Sequence, residues 1–146
     1  MGALLDDRPD LDPVSLIRTR DLMRRAVPGC LVANVSALKP LLDLPDPDDR
    51  HVVAAALLCG AQTIVTFNLR DFPTRVLSPL GISVMHPDDF LYARLEQDPA
   101  AIVTAARGIR RRLVRPTVSG SAYIARLRSH GLVKTASVLE AFVEVI

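Results

Sequence analysis

The run Thr63-Ile64-Val65-Thr66-Phe67 is the feature that most constrains the fold of this chain. β-Branched and aromatic residues favour strands, and apolar character on both faces is typical of a strand buried in a parallel sheet. The run follows an Ala-rich helical pattern over Val52 to Cys59, which Gly60 ends, and a second short strand is predicted over Gly81 to Met85. Strands that alternate with helices indicate a βαβ arrangement, and so an α/β fold with a parallel sheet.

Proline preceded by a capping side chain marks four predicted helix starts. A capping side chain accepts hydrogen bonds from the free N–H groups of the first turn, and Pro suits that turn because its φ is already helical. Acidic residues that follow two of these starts offset the positive end of the helix dipole. The four starts are Asp12-Pro13, Asp46-Pro47, His86-Pro87 and Asp98-Pro99.

The other elements are predicted from apolar periodicity and turn residues. The helix after Asp12-Pro13 ends at Pro28-Gly29, and Cys30 to Ala33 is predicted as a further short strand. Helices in the carboxyl-terminal part are predicted over Phe90 to Leu95, from Pro99 to about Arg112, over Ser121 to Arg128 and over Thr135 to Val145. We therefore divide the chain into a partial α/β domain, residues 1–96, and a helical extension, residues 97–146.

Composition excludes several classes of protein. With 146 residues, 49% of them hydrophobic and 23% charged, the chain has the balance of a globular protein rather than of a disordered tail. It contains no apolar run long enough for a membrane span and no signal-peptide pattern, so we expect a cytoplasmic protein. Cys30 and Cys59 have no Cys or His at metal-ligand spacing and are predicted to be buried thiols.

Charge is distributed unevenly along the chain. Residues 1–96 carry ten basic and 13 acidic side chains, whereas residues 97–146 carry eight basic and three acidic ones. A basic surface of this kind attracts a phosphate backbone or an acidic protein, and it is also typical of a solvated helix face. The sequence leaves these alternatives open. The basic side chains are Arg107, Arg110, Arg111, Arg112, Arg115, Arg126, Arg128 and Lys134.

Two polar clusters are predicted at the sheet edge where open α/β proteins bind ligands. Asp48 and Asp49 open a helix, while Asn68 and Asp71 follow the predicted buried strand. Their oxygens are hard ligands suited to Mg²⁺ or Mn²⁺, and a metal ion there orients water for attack on a phosphodiester. Asp is also a common helix cap, so spacing alone favours a structural role. No histidine is assigned to catalysis.

The residues around these acids form two connected motifs. An acid precedes an Ala-rich helix in Asp49-Arg50-His51-Val52-Val53-Ala54-Ala55-Ala56, and a strand ends in Thr66-Phe67-Asn68, with Asp71-Phe72 close behind. The motifs resemble the latter half of a PIN domain. The flanking phrases Leu44 to His51 and Gly81 to Leu91 resemble a bacterial subgroup related to VapC-type toxins, which also carries a short helical carboxyl-terminal extension.

The resemblance implies a PIN-like three-layer αβα fold with a parallel sheet. It also implies the toxic component of a type II toxin-antitoxin system, a Mg²⁺- or Mn²⁺-dependent ribonuclease that a cognate antitoxin neutralises. PIN proteins of this kind commonly pair, so we expect a homo-oligomer, most simply a dimer.

The site residues are implied position by position. Asp49, Asn68 and Asp71 match catalytic positions of the family, with Asp49 and Asp71 as metal ligands, and Asp48 is a reserve candidate. Thr66 matches the hydroxyl residue at the strand end, which holds a water molecule or an acid in place. RNA phosphate contacts are expected for the two flanking arginines, Arg50 and Arg70.

PIN domains carry two further acids. In the family both acids come before the region that corresponds to Met1 to Asp12 of this chain. Asp6, Asp7 and Asp10 do not follow an apolar strand, so none is assigned to the missing role. We expect the first strand and helix to be missing from this chain, with an exposed sheet edge as the result. They would come from a separate polypeptide, a second copy or an upstream start. The alternatives are a catalytically inactive PIN-like protein that binds antitoxin or RNA, and a metal-dependent phosphatase or DNA nuclease.

Overall fold

A computed structural model describes residues 10–146, so that Asp6 and Asp7 lie outside the described residues. Seven helices and two strands are present in this part of the chain. The helices are α1 (Pro13–Ala26), α2 (Arg50–Cys59), α3 (Thr74–Leu77), α4 (Pro87–Gln97), α5 (Pro99–Arg112), α6 (Gly120–Ser129) and α7 (Val133–Leu139), and the strands are β1 (Thr63–Val65) and β2 (Ser83–Met85). Single 3₁₀ turns connect several of them, at Val35–Ala37, Lys39–Leu41, Pro47–Asp49, Leu69–Asp71, Ser78–Leu80 and Glu140–Phe142.

The two strands form a parallel sheet in which Ile64 lies opposite Val84. This pairing confirms the predicted parallel sheet and an α/β arrangement. The prediction that β1 is buried on both faces is wrong, since Ile64 is buried whereas Val65 is 41% and Phe67 60% exposed. Successive side chains of a strand point to opposite faces, and only the face of Ile64 packs against the core.

The predicted strand over Cys30 to Ala33 is wrong, because these residues are irregular and pair with no strand among residues 10–146. An apolar run becomes a strand only where a partner strand can accept its backbone hydrogen bonds. The prediction of buried thiols is also wrong, since Cys30 and Cys59 are both exposed and free. Cys59 is the last residue of α2, where the helix meets solvent.

The predicted helix starts are confirmed by their caps. Asp12 accepts hydrogen bonds from the backbone N–H groups of Val14 and Ser15, and Asp98 accepts one from Ala101. His86 accepts one from Asp88, at 3.2 Å from Nδ1. The apolar periodicity of α1 predicts the helix correctly. None of its residues is buried, however, so the periodicity does not indicate a packing partner.

Two separate apolar clusters hold the elements together. The first packs α2 against the sheet and the following turns and consists of Leu42, Leu44, Val53, Ala54, Ala56, Ile64, Phe72, Leu77 and Ile82. The second joins α4, α5, α6 and α7 and consists of Leu95, Ala106, Val118, Tyr123, Ile124, Ala136, Leu139 and Ile146. No helix in the described part of the chain is long and apolar enough to cross a membrane.

The helix α4 belongs by its packing to the second cluster, because it contacts both α5 and α7 and contributes Leu95. The division of the chain between residues 96 and 97 stays a prediction. Phe67 lies beside the junction of the two clusters: its ring meets that of His86 edge to face, with centroids 5.1 Å apart. A Cβ at Gly131 would lie 3.6 Å from the same ring.

The buried carboxylate of Asp88 links α4 to α7 across 46 residues of sequence. Its two oxygens accept hydrogen bonds from the backbone N–H groups of Lys134, at 2.8 Å, and Thr135, at 2.9 Å. Burial alone would raise the pKa of Asp88, but these donors, the Thr135 hydroxyl and the nearby His86 together hold it below the ordinary value of 3.8. Asp88 therefore caps α7 from another helix.

Asp88→Asn should lower the free energy of unfolding by about 1–3 kcal/mol at pH 7, because one of the two backbone N–H groups then faces an amide group and loses its acceptor. Since the folded-state pKa is lowered, the contribution of Asp88 is complete above its unfolded-state pKa and is lost as pH falls through the folded-state value. Urea unfolding at pH 7 and at about pH 3 measures both effects.

Asp89→Asn is the matched control, because the Asp89 side chain is 46% exposed and its ion pair within residues 10–146 is with the Lys134 ammonium group, at 2.5 Å. Exposed ion pairs contribute little, so this variant should unfold near the urea concentration of the parent. Equal midpoints for both variants would contradict a structural role for Asp88.

Candidate metal centre

Three carboxylates converge at the carboxyl end of β1. One oxygen from each of Asp46, Asp49 and Asp71 lies within 4.8 Å of the other two. Asp46 precedes the 3₁₀ turn Pro47–Asp49, Asp49 lies immediately before α2, and Asp71 ends the 3₁₀ turn that follows β1. The cluster therefore combines a helix start with a strand end, at the edge where parallel sheets bind ligands.

Local hydrogen bonds explain how Asp46 and Asp49 reach the same side of the chain. Asp46 accepts the backbone N–H of Asp48 at 2.8 Å, which opens the 3₁₀ turn, and Pro47 fits its first position. The backbone N–H of Asp49 donates to the carbonyl oxygen of Asp46 at 3.2 Å, so the turn brings these two residues together. The side chain of Asp49 makes no capping hydrogen bond and is available to the cluster.

The loop after β1 fixes the third carboxylate. The hydroxyl oxygen of Thr66 accepts the backbone N–H of Asn68 at 3.1 Å, and the side-chain amide of Asn68 donates to Asp71 Oδ2. Asn68 thus holds Asp71 in place, and Thr66 holds the backbone of Asn68. Thr66 therefore acts on Asp71 indirectly, through its hydrogen bond to Asn68.

The electrostatics of the cluster raise the pKa of Asp49. Burial is the largest cause, and repulsion from Asp46 and Asp71 adds to it, while the nearby His51 opposes it. No ion pair reaches these three carboxylates within residues 10–146. A cation would relieve this repulsion, and three carboxylates form the hard oxygen donor set that Mg²⁺ and Mn²⁺ prefer. The residues present therefore fit a divalent metal ion.

The structure brings three predicted site residues, Asp49, Asn68 and Asp71, together. Their catalytic and metal-binding roles stay predictions. Asp48, the reserve candidate, is exposed and lies outside the cluster, and its backbone carbonyl accepts His51 Nδ1 at 2.5 Å. The sequence predicts only a capping role for Asp46, although its spacing of three residues from Asp49 is that of the hydrogen bond which closes a 3₁₀ turn and brings both residues together.

The two flanking arginines do not neutralise the cluster. Arg50 is half-buried, and its Nε atom has no hydrogen-bond partner in the structure. Arg70 is exposed and makes no ion pair among the described residues. Both side chains therefore keep their charge available beside the acids, and contact with RNA phosphates stays a prediction for each.

Asp49→Asn should raise the thermal midpoint at pH 7, by about 1–3 °C, because it removes a carboxylate that burial and two neighbouring acids disfavour. A raised folded-state pKa means that Asp49 costs no stability below its unfolded-state pKa and costs increasingly more as pH rises through the folded-state value. The gain should therefore vanish near pH 3. Differential scanning calorimetry in EDTA measures it.

Asp48→Asn serves as the control, since Asp48 is exposed and contributes least to the raised pKa of Asp49. A loss of stability in Asp49→Asn at pH 7 would show that the carboxylate is not under electrostatic repulsion.

The carboxyl-terminal part of the chain is similar to part of a known protein. Residues 87–141 match the model of the VapC50 C-terminal domain. The protein named "Putative ribonuclease VapC50" from Mycobacterium tuberculosis (strain ATCC 25618 / H37Rv) is 52% identical to this chain over 48 residues. That match covers 33% of this chain and 28% of the length of the relative. No solved structure matches the chain significantly. Over residues 87–141 the chain is thus similar to the VapC50 C-terminal domain.

Proposed function

We propose that this chain acts as a VapC-type toxin ribonuclease, which hydrolyses RNA phosphodiester bonds with Mg²⁺ or Mn²⁺ at the cluster of Asp46, Asp49 and Asp71. The convergence of these carboxylates at the carboxyl end of β1 is the observation that carries the proposal. The ribonuclease named in the comparison supports the choice of RNA as substrate. Three crowded carboxylates do not favour the alternative, a catalytically inactive PIN-like protein.

A PIN-like αβα architecture is the finer fold that we propose. It is supported by the parallel register of β1 and β2, by the packing of α2 on one face of the sheet and by the position of the acids at the strand ends. The exposed Val65 and Phe67 on the other side leave room for a further layer.

Each residue of the site has a separate proposed task. Asp46, Asp49 and Asp71 would hold the metal ion, which when bound supplies positive charge for the phosphate oxygens and acidifies water. Asn68 is a positioning residue, because its amide donates to the Asp71 carboxylate and restricts where that carboxylate points. Arg50 and Arg70 keep cationic groups beside the acids, where they would counter the charge of the phosphodiester.

We also propose a cognate antitoxin and a second copy of the chain as partners, within the cytoplasm. Within residues 10–146, β1 and β2 each pair on one side only, so each has an edge whose backbone groups are free to pair with another chain. The exposed side chains of Val65 and Phe67 add apolar surface next to that edge.

Asp49→Asn and Asp71→Asn should each reduce Mn²⁺-dependent RNA cleavage by about 100-fold or more, because each removes a carboxylate from the donor set. Asn68→Ala should reduce it by about 10- to 100-fold, the usual effect of losing a group that orients a metal ligand. Gel electrophoresis of end-labelled RNA, with EDTA and with added Mn²⁺, measures the rates.

Asp48→Asn is the matched control and should cleave at the parent rate, because Asp48 lies outside the cluster. Cleavage that persists in EDTA, or that Asp49→Asn leaves unchanged, would contradict the proposed function. Circular dichroism of each variant establishes that a lost activity does not come from unfolding.

A further inference from the structure

We propose that an arginine face on α5 binds the phosphate backbone of RNA away from the acidic cluster; this inference rests on the proposed function. The arginine face comprises Arg107, Arg111 and Arg112 of α5 and Arg115 just beyond it. All four side chains are exposed. These side chains belong to the basic carboxyl-terminal helices, for which the sequence leaves phosphate, acidic protein and solvent as open alternatives.

The arginine face carries charge that the fold does not use. Two nearby basic side chains are already paired, Arg128 with Glu140 and Lys134 with Asp89. Arg110 also has a structural role, because it donates to the backbone carbonyl of Val118 at 3.0 Å. Residues 10–146 provide neither an ion pair nor a side-chain hydrogen bond to Arg107, Arg111, Arg112 or Arg115. Unpaired guanidinium groups repel one another, so the fold itself gains little from keeping them together.

The geometry of α5 separates this charge from its apolar face. Arg107 and Arg111 are four residues apart and therefore lie on the same side of the helix, about 6 Å apart along its axis. The apolar stripe that packs into the second cluster consists of Ile102, Val103 and Ala106 and is centred on a different side of the helix. The side of α5 that carries Arg107 and Arg111 therefore faces solvent and is bordered by Val103, which is partly buried against the second cluster.

Gly108 gives a second, independent observation on the same helix. Glycine within a helix is less stable than alanine there, and it is normally kept for a positive φ or a close contact. Gly108 has neither, since its φ is not positive and a Cβ at this position would meet no atom within 4 Å. The fold does not require this glycine. It leaves a gap between the arginines through which an extended backbone can approach the helix closely.

These features fit RNA better than an acidic protein. Protein interfaces need an apolar or aromatic centre, but the residues between the arginines on the solvent side of α5 are small, namely Ala100, Thr104 and Gly108. Val103 beside Arg107 packs into the second cluster, and the exposed Val114 lies beyond the end of the helix. Guanidinium groups bind phosphate oxygens in pairs of parallel hydrogen bonds. The helix α5 has no aromatic residue on which a base could stack. The arginine face therefore binds backbone rather than bases, with little sequence preference and strong salt dependence.

The test uses the whole 146-residue chain carrying Asp49→Asn, so that RNA is bound without being cut. Fluorescence anisotropy with labelled single-stranded RNA compares it with a variant that adds Arg107→Gln, Arg111→Gln, Arg112→Gln and Arg115→Gln. We expect Kd to rise about tenfold or more. The slope of log affinity against log salt concentration should become shallower by about 2 to 3, since each phosphate contact to a single strand contributes about 0.7.

The control removes the same charge from another surface, by Arg18→Gln, Arg20→Gln, Arg24→Gln and Arg25→Gln on α1. It should change Kd by less than about threefold. A similar rise in Kd in both variants would show that net charge alone causes the effect, and it would overturn the proposal. An unchanged Kd in the α5 variant would also overturn it. Unlabelled polyglutamate of matched charge should compete poorly; equal competition would indicate an acidic protein partner instead.

The outcome is separable from that of the proposed function. Cleavage is measured in the parent chain, whereas binding is measured in the Asp49→Asn background. A parent that cuts no RNA would contradict the ribonuclease proposal, while loss of RNA binding in the α5 variant would still support the arginine face.

Discussion

The carboxyl-terminal part of the molecule depends on one buried carboxylate, that of Asp88. Its oxygens satisfy two backbone N–H groups at the start of α7, so the first helix of the second cluster is tied to its last. An unpaired carboxylate in this position would be strongly unfavourable, because burial penalises the charge. The two donors reverse that penalty and lower the pKa of Asp88. Asp88 is thus a structural acid, fully committed to the fold.

The acids near β1 show the opposite balance. Asp49 is partly buried beside Asp46 and Asp71 and makes no side-chain capping hydrogen bond, and burial together with repulsion from these acids raises its pKa. If Asp49 served only as a helix cap, the carboxylates of Asp46 and Asp71 beside it would add repulsion without stabilising the fold. The contrast between Asp88 and Asp49 separates a carboxylate whose hydrogen bonds favour the charged form from one whose surroundings disfavour it, and perturbed groups of the second kind are concentrated at functional sites.

Local signals made most of the elements predictable. Asp12, Asp98 and His86 cap helices where the sequence indicates, and the pattern before Gly60 ends as predicted. Long-range partners were not predictable: nothing in Cys30 to Ala33 shows that a pairing strand is lacking, and nothing near Asp88 shows that its donors lie 46 residues away. In the site, Asn68 and Asp71 follow from the motif, whereas Asp46 required the geometry of a 3₁₀ turn.

The central claim is that Asp46, Asp49 and Asp71 together hold a divalent metal ion, and Mn²⁺ binding measured by electron paramagnetic resonance tests it most directly. The parent should bind Mn²⁺, and Asp46→Asn should bind it at least about tenfold more weakly while keeping the cap on the Asp48 N–H, since Asn caps as well as Asp. Asp48→Asn should bind as the parent does. Equal affinity in all three proteins, or no binding by the parent, would contradict a metal centre at this cluster.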